Sequence, residues 1–465
     1  MPESAEQYEP SLVHQVMRLV QTRIDRRQYT PGARIPSVRA MAESMGVSKS
    51  TVVEAYARLA AEGIVHPRLG SGFYVAAPLA PLNLAELSPD TDPTVDPLWV
   101  MRQSLRTGEE NLRPGCGWLP ESWMPHEMMR KALRAAARDG SGSTLFEYGP
   151  TQGADTLRGL ITRRLLDQGV EASPEHVMIT DSCTQAIDLV CRFLLEPGDT
   201  VLVDDPCYFN FKALLRAHRA HVVGVPFTSS GPDLSVFASI LEAHRPRIYL
   251  TNSGLQNPTG ASLTAPVAHR LLKLSEPYGL VIVEDDIFGD FEEQASPRLA
   301  AFDGLDRVVR VSSFSKTLSA SLRCGYIACR PDWIRSLCDL SMVTGMASSP
   351  LHAELVASML MDGSYRRHVE RIRTRLARQR QLVKTKLAKL GITLFTEPAG
   401  GMFLWCQLPE GCDAAEVARR ARAENVVLAP GNAFSVSGAA TGFVRFNVAQ
   451  MEGDKVYSVL RRAIA

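Results

Sequence analysis

The residues that decide the fold are Ser312-Ser313-Phe314-Ser315-Lys316, with Arg323 seven positions after the lysine. They follow directly on an apolar, β-branched run beginning at Val308, which predicts that Lys316 lies just past the end of a strand. An amine in that place can form a Schiff base with an aldehyde, and the neighbouring hydroxyls and Arg323 can bind a phosphate. A lysine and an arginine at this spacing are also common on solvated surfaces, so the interpretation depends on the surrounding sequence.

Short apolar runs alternate with helical patterns on both sides of this stretch. Five of these runs are typical of buried strands: 177–180, 201–204, 248–252, 280–284 and 308–312. Strands that alternate with helices predict an α/β fold with a largely parallel sheet.

Polar motifs occur where these strands end. Thr180-Asp181-Ser182-Cys183-Thr184 forms a strand-to-helix turn, whose free N–H groups can hold a phosphate. Tyr208 follows the second strand, and its ring is suited to stacking on a pyridine. The other motifs are Tyr148-Gly149-Pro150, Asn257-Pro258-Thr259-Gly260, Glu284-Asp285-Asp286 and Val444-Arg445-Phe446-Asn447.

The order of these motifs resembles that of fold type I pyridoxal-phosphate enzymes, the aspartate aminotransferase-like group, over about residues 110–465. The resemblance implies pyridoxal 5′-phosphate as cofactor, with Lys316 as its Schiff-base lysine. Asp285 is then expected to pair with the pyridinium nitrogen. Asn257 would bind the phenolate oxygen, and Tyr208 would stack on the ring.

The same resemblance assigns the remaining site residues. Arg445 is expected to clamp the α-carboxylate of an amino acid through a bidentate pair. Tyr148 is expected to reach the site of a partner subunit, since active sites in this group are shared across a homodimer. The residues expected around the phosphate are Cys183, Thr184, Ser313, Ser315 and Arg323.

Two positions depart from the family pattern. Ser182 stands where a glycine is usual, which is expected to tighten the phosphate turn. Phe288 stands where a tyrosine hydroxyl normally contacts the phenolate oxygen, and its loss is expected to weaken transamination without abolishing cofactor binding. Either change could equally be neutral.

The amino-terminal segment has a different pattern. Apolar residues at helical spacing predict helices over 12–24, 37–44 and 49–62, with Ser48 as the N-cap of the third. A strand, a turn around Gly70 and a second strand follow, so we predict a winged helix-turn-helix. A small helical domain with merely solvated arginines is the alternative.

This segment resembles the GntR family. The matching residues are Pro31-Gly32-x-Arg34-Ile35-Pro36-Ser37-x-Arg39, Val47-Ser48-Lys49-Ser50-Thr51-Val52 and the turn Gly70-Ser71-Gly72. The resemblance implies DNA as a partner, although Lys49 stands where that family often has an arginine, which puts a bidentate guanine contact in doubt. The expected DNA contacts are Arg34, Ser37, Arg39, Ser48, Lys49, Ser50, Thr51, Arg68 and Gly70.

The charge distribution agrees with a division of the chain. The 465 residues carry a formal net charge of only +1. Residues 11–75 alone carry +5, so the remainder is net acidic. Five prolines between residues 76 and 97 indicate a stiff linker. We therefore predict a winged helix-turn-helix over 8–76, a proline-rich linker over 77–110 and an α/β cofactor domain over 111–465.

Several classes of protein are disfavoured by composition. No apolar run approaches the length of a membrane helix, and the amino terminus lacks the order of a signal peptide. The nine cysteines have no CxxC or zinc-like spacing, and the histidines have no ligand pattern. We therefore expect reduced thiols, no metal, no membrane association and a cytoplasmic location.

A GntR-type DNA-binding domain fused to an aminotransferase-like domain resembles the MocR family of regulators. This resemblance implies a homodimeric transcription factor that senses the cofactor, an amino acid or an amine. An active aminotransferase carrying a DNA-binding domain is the alternative, because Lys316, Asp285 and Arg445 are all present. A third possibility is a DNA-binding protein whose large domain only dimerises. The presence of Lys316 counts against it, because a dimerisation domain does not need that amine.

A strongly basic helix is predicted over 364–390. We favour a solvated helix face, because runs of charge are usually solvated. A second surface for DNA phosphates is the alternative.

Overall fold

The computed structural model describes residues 11–25, 28–30, 32–68, 71–76, 101–102, 105, 111–139 and 145–465. Gly70 and almost all of the predicted linker 77–110 lie outside the described residues. The described residues form a small amino-terminal unit and a large unit, which are described separately below.

The small unit has three helices and a hairpin, as the sequence predicts. The helices are α1 (Leu12–Asp25), α2 (Val38–Met45) and α3 (Lys49–Ala61), and the strands are β1 (Val65–Arg68) and β2 (Gly72–Val75). The strands pair antiparallel with Val65 opposite Val75. Ser48 caps α3, because its hydroxyl accepts a hydrogen bond from the Thr51 backbone N–H at 3.1 Å. The core includes Val16, Val20, Ile35, Met41, Val52, Tyr56 and Leu59.

The large unit alternates helices and strands. Its helices are α4 (His126–Asp139), α5 (Asp155–Leu166), α6 (Cys183–Leu194), α7 (Phe209–Ala217), α8 (Leu234–His244), α9 (Ala265–Ser275), α10 (Leu299–Asp303), α11 (Pro331–Thr344), α12 (Pro350–Met361), α13 (Ser364–Ala388), α14 (Ala414–Ala423) and α15 (Lys455–Ile464). Its strands are β3 (Val177–Thr180), β4 (Thr200–Asp205), β5 (His221–Thr228), β6 (Gly231–Pro232), β7 (Ile248–Thr251), β8 (Val281–Asp285), β9 (Val308–Ser313), β10 (Gly325–Ala328), β11 (Thr393–Leu394), β12 (Phe403–Gln407), β13 (Ala429–Pro430) and β14 (Phe443–Asn447).

Eight strands form one sheet in the order β3-β10-β9-β8-β7-β4-β5-β6. The five strands from β9 to β5 are mutually parallel, whereas β10 runs antiparallel between β3 and β9. The sheet is therefore mixed, with the parallel centre that the sequence predicts. All five predicted strands are present, since they are apolar over nearly their whole length and are buried by helices on both faces.

A second sheet, in the antiparallel order β11-β12-β14-β13, was not predicted. Two of its strands are only two residues long and give too little sequence for a periodic pattern. Strand β14 carries Arg445 and Asn447 into the interior, where both side chains are buried.

Helix α13 is the predicted basic helix, and much of its charge is paired within the unit. Arg380 is buried, donating to the Gly401 carbonyl at 3.1 Å and to Glu293 at 2.6 Å. Lys386 pairs with Asp454 at 2.8 Å. Arg380 is therefore not accessible to DNA, and Lys386 has a partner within the unit; the solvated helix face stays a prediction. No helix in the described part of the chain is long and apolar enough to cross a membrane.

Candidate functional site

The site lies at the carboxyl edge of the parallel strands, where α/β sheets bind their ligands. Strands β4, β7, β8 and β9 end at this edge and lead to Tyr208, Asn257, Asp285 and Lys316 respectively. These residues surround a cavity of about 660 Å³. The predicted residues that line it are Tyr208, Cys183, Thr184, Asn257, Asp285, Ser313, Ser315, Lys316, Arg323 and Arg445.

Lys316 points its amine into this cavity. Its Nζ donates to the Gly117 carbonyl at 2.7 Å. Removal from water and the nearby guanidinium of Arg445 lower the pKa of Lys316 to about 8. A larger fraction of this amine is therefore neutral near pH 7 than in an exposed lysine, and only the neutral form attacks an aldehyde.

Asp285 lies at the end of β8 and is buried. One carboxylate oxygen, Oδ1, accepts hydrogen bonds from the Cys183 thiol at 3.2 Å and the Ile287 N–H at 3.1 Å. Burial raises the pKa of Asp285 to about 6, and no lysine or arginine of the described residues forms an ion pair with it. A protonated ring nitrogen is the kind of partner that would offset this desolvation.

Arg445 is also buried and has no carboxylate partner among the described residues. Its Nη1 donates to the side-chain oxygen of Asn257 at 2.7 Å, and its Nη2 donates to the Gly115 carbonyl at 2.6 Å. The guanidinium lies 4.3 Å from the Phe403 ring centroid and 4.8 Å from that of Phe434. Desolvation lowers the pKa of Arg445 to about 10. A buried cation of this kind favours an anionic ligand group.

The expected phosphate residues converge on one side of the cavity. Cys183 and Thr184 begin α6, whose first turn presents backbone N–H groups. Ser182 is the N-cap of this helix, because its hydroxyl accepts from the Gln185 N–H at 3.0 Å. The serine in place of a glycine therefore has a local structural explanation. Ser313, Ser315 and Arg323 line the same cavity.

Tyr148 is the one predicted cofactor residue outside this cavity. It is 81% exposed and lines an adjoining cavity together with Asp181 and His352. Its neighbour Phe146 is 87% exposed.

Several residues of the cavity were not predicted. Phe288 was predicted only as a departure from the family pattern, and the structure shows that it also lines the cavity. It is buried, and its ring lies edge-on to that of Phe403 with the centroids 5.2 Å apart. Gly115, Gly117 and Trp118 enter the site through a segment that carries no charged motif. The Gly-Cys-Gly sequence was the available signal, because close backbone approach often requires glycine. A Cβ at Gly115 would lie 2.4 Å from the backbone of Leu428.

Apart from Gly70, which lies outside the described residues, the predicted DNA-contacting residues lie at least partly exposed on the small unit. Lys49 and Ser50 are exposed in the first turn of α3. The Ser37 and Ser48 hydroxyls accept hydrogen bonds as N-caps of α2 and α3. Arg34 lies beside the hairpin, with its Nε 3.3 Å from the place a Cβ on Gly72 would occupy.

Two further predicted arginines of the small unit contact its own side chains. Arg39 pairs with Glu43 at 3.2 Å. The guanidinium of Arg68 lies 4.5 Å from the Tyr74 ring centroid.

The residues present fit a pyridine aldehyde phosphate. Within the described part of the chain, a reactive amine, a buried carboxylate without an ion-pair partner, a helix amino end and a buried arginine without a counterion face one cavity. Fold and cavity define a fold type I, pyridoxal-phosphate-type domain on the same chain as a winged helix-turn-helix.

Comparisons with known proteins agree with this class. The family described as aminotransferase class I and II matches residues 114–462, and the family described as bacterial regulatory proteins, gntR family, matches residues 12–75. The chain therefore belongs to the aminotransferase class I and II family and carries a GntR-type unit at its amino end. The cofactor of this family is pyridoxal 5′-phosphate.

Relatives include both regulators and enzymes. A protein of Escherichia coli described as the uncharacterized HTH-type transcriptional regulator YdcR is 29% identical over 92% of this chain and 92% of its own length. The 2-aminoadipate transaminase of Thermus thermophilus is 31% identical over 75% of this chain and 89% of its own length. The crystal structure of LysN, an α-aminoadipate aminotransferase from Thermus thermophilus complexed with N-(5′-phosphopyridoxyl)-L-leucine, superposes with a TM-score of 0.73 at 28% identity and covers 82% of this chain and 97% of LysN.

Proposed function

We propose that the protein is a transcriptional regulator that binds DNA through its small unit and senses an amino acid or amine through a pyridoxal-phosphate site. The observation that carries this proposal is the complete set of Lys316, Asp285 and Arg445 around one cavity, on a chain that also contains a GntR-type unit. A protein that needed its large domain only for dimerisation would have no use for a lysine amine in this environment.

Each site residue has a role in this proposal. When bound, pyridoxal phosphate supplies an aldehyde that condenses with amines and a ring that accepts electrons. Lys316 would hold the aldehyde, and Asp285 would accept a hydrogen bond from the ring nitrogen. Asn257 would bind the phenolate oxygen, while Tyr208 would stack on the ring. The phosphate residues are Cys183, Thr184, Ser313, Ser315 and Arg323.

Arg445 defines the preferred ligand. Its buried guanidinium gains a counterion when a carboxylate binds, so an amino acid is favoured over a simple amine. Asn257, which already accepts from Nη1 at 2.7 Å, fixes the orientation of the guanidinium.

A homodimer with shared sites is part of the proposal. Tyr148 lines the adjoining cavity, and both it and Phe146, two residues earlier in the sequence, are highly exposed aromatic residues. Such exposed aromatics are typical of interfaces. Tyr148 would then approach the cofactor of the partner subunit, and the protein would act in the cytoplasm.

Catalysis of transamination is the second candidate function. It is favoured by the intact Lys316, Asp285 and Arg445 and by the similarity to a 2-aminoadipate transaminase. Phe288 in the cavity wall supplies no hydroxyl, and this is expected to slow turnover.

Titration with amino acids, followed by cofactor absorbance and by DNA binding, tests these alternatives. The full-length protein is loaded with pyridoxal phosphate, and each standard L-amino acid and L-2-aminoadipate is added while visible absorbance is recorded. The affinity for a DNA site selected from a random library is measured under the same conditions. A spectral change with altered DNA affinity and no sustained keto-acid production supports the sensor, whereas sustained keto-acid production supports the enzyme. Lack of a lysine-linked cofactor band rejects both.

A further inference from the structure

The segment of residues 111–118, here called the strap, lies along one side of the cofactor cavity. It is joined to a neighbouring loop by backbone hydrogen bonds: the Leu112 N–H donates to Asn425 O at 3.0 Å, and the Val427 N–H donates to Leu112 O at 2.9 Å. The Gly115 N–H donates to Val427 O at 2.9 Å. In the sequence, the strap directly follows the predicted linker 77–110.

Asn447 holds the strap from the other side. Its side-chain Nδ2 donates to Cys116 O at 3.0 Å and to Trp118 O at 2.8 Å. Its backbone N–H donates to Pro114 O at 2.6 Å. Asn447 is fully buried and lies two residues after Arg445 on β14, so one strand carries both the arginine and the anchor of the strap.

The strap contacts Lys316 and Arg445, two of the cationic side chains of the site, through its backbone. Gly117 O accepts from Lys316 Nζ at 2.7 Å, and Gly115 O accepts from Arg445 Nη2 at 2.6 Å. A Cβ on Gly117 would lie 3.9 Å from Lys316 Nζ and 4.0 Å from Arg445 Nη2, so this glycine faces the space between them.

Occupancy of the site would change both contacts. Lys316 Nζ would leave Gly117 O while it holds the cofactor, and it would be able to return to Gly117 O when an amino acid occupies the site. A carboxylate competes with Gly115 O for Arg445, because it brings a negative charge and can accept two parallel hydrogen bonds from the guanidinium, whereas the carbonyl accepts one. The strap therefore has different hydrogen bonds in the two states, which is the requirement for a ligand to shift a conformational equilibrium.

We propose that the strap reports amino-acid occupancy to the linker, and that Asn447 is the positioning residue that makes this report possible. The proposal rests on the proposed function, because it presupposes that an amino acid alters DNA binding. It goes further by naming the backbone carbonyls of Gly115 and Gly117 as the groups that distinguish an occupied site from one holding the cofactor alone.

Asn447→Asp tests the positioning role, because it keeps the side-chain shape and replaces the donor to two strap carbonyls with an acceptor. Gln407→Glu is the matched control, since it makes the same amide-to-acid change at an exposed position on the adjacent strand β12. The measured quantity is the coupling ratio, the DNA dissociation constant with a saturating amino acid divided by that without it. L-leucine is the first probe, followed by the amino acid with the largest spectral effect.

We expect Asn447→Asp to load the cofactor, to bring the coupling ratio close to one and to speed hydrogen exchange of the Leu112 and Gly115 amides. Gln407→Glu should keep the wild-type ratio. Gln450→Ala removes a single 3.2 Å hydrogen bond to Trp118 O and should reduce the coupling partially, so it replaces Asn447→Asp if that variant does not fold.

Two results overturn the proposal in distinguishable ways. A wild-type coupling ratio in Asn447→Asp or Gln450→Ala, with faster exchange in the strap, rejects the strap as the reporter and leaves the proposed function intact. Absence of any amino-acid effect on wild-type DNA binding rejects the proposed function, and the strap proposal falls with it.

Discussion

Lys49 and Lys316 are the two lysines that the sequence selects for function, and the structure places them in opposite surroundings. Lys49 is exposed at the amino end of α3. Lys316 faces a cavity, bonds to a backbone carbonyl and has its pKa lowered to about 8 by desolvation and Arg445. The first can act only when a partner approaches it, whereas the second is already altered by its neighbours. A binding site on the surface therefore depends on which side chains are accessible to a partner. A buried site depends on how neighbouring groups alter the pKa and the hydrogen bonds of its side chains.

Removal of the buried lysine should have the largest effect. We expect Lys316→Ala to abolish the lysine-linked visible absorbance of the cofactor and any amino-acid effect on DNA binding. Its DNA affinity should equal that of the cofactor-free wild type within about twofold, because both proteins lack a lysine-linked cofactor and have the same side chains in the small unit. Absorbance spectra and DNA titrations check this.

Lys389→Ala is the matched control, because Lys389 is exposed on the same unit. A lysine-linked band that survives in Lys316→Ala would contradict the assignment of the cofactor amine.

The comparison also explains what the sequence can and cannot predict. Parallel strands deliver their following loops to one edge, so the motifs after β4, β7, β8 and β9 were expected to meet, and they do. The strap was missed because its polar groups are backbone carbonyls, which reasoning from side-chain type does not detect. Arg380 was placed in a basic run, but its burial depends on a distant partner, Glu293. Tyr148 lies outside the cofactor cavity of its own subunit, and its proposed role is at the cofactor of a second subunit.

A second prediction concerns the buried arginine. Arg445→Lys keeps the positive charge but loses the planar pair of donors, so amino-acid binding should weaken by about 2 kcal/mol, roughly thirtyfold. Cofactor loading should remain, since Lys316 is unchanged. Spectral titration with L-leucine measures the effect, and the exposed Arg366→Lys on α13 is the control. An unchanged amino-acid affinity would remove Arg445 from the carboxylate site.

A third prediction follows from the lowered pKa of Lys316. The neutral amine is the reactive form, and with a pKa of about 8 it makes up about a tenth of the population at pH 7, against less than about one in a thousand for an ordinary lysine. The rate of cofactor loading should rise by up to about tenfold per pH unit below 8 and level off above it. Stopped-flow absorbance from pH 6 to 10 measures this. A rate that still rises steeply between pH 9 and 10 would mean that the pKa is not lowered.

The smallest effect on ligand or DNA binding is expected on the exposed surface around Lys49, at Val53. This residue lies four positions after Lys49 on α3 and is 52% exposed, so its methyl groups are not used in the core of the small unit. In a helix-turn-helix, the second helix of the motif, here α3, enters the major groove. An aliphatic side chain on its outer face is suited to contact the C5-methyl group of thymine. We expect it to contribute to base preference rather than to fold stability.

Replacement of thymine by uracil in the selected DNA site removes only that methyl group. At one position in each of two half-sites this should weaken wild-type binding by about fifteenfold, which corresponds to about 0.8 kcal/mol for each of the two buried carbons. Val53→Ala should weaken binding to the thymine site similarly and become insensitive to the replacement. Lys49→Gln is the contrasting variant, because losing one phosphate contact in each subunit should lower the salt slope by about two while leaving sensitivity to uracil. If Val53→Ala stays as sensitive as the wild type, the exposed valine is a solvated surface residue, and base preference must come from the polar groups of α3.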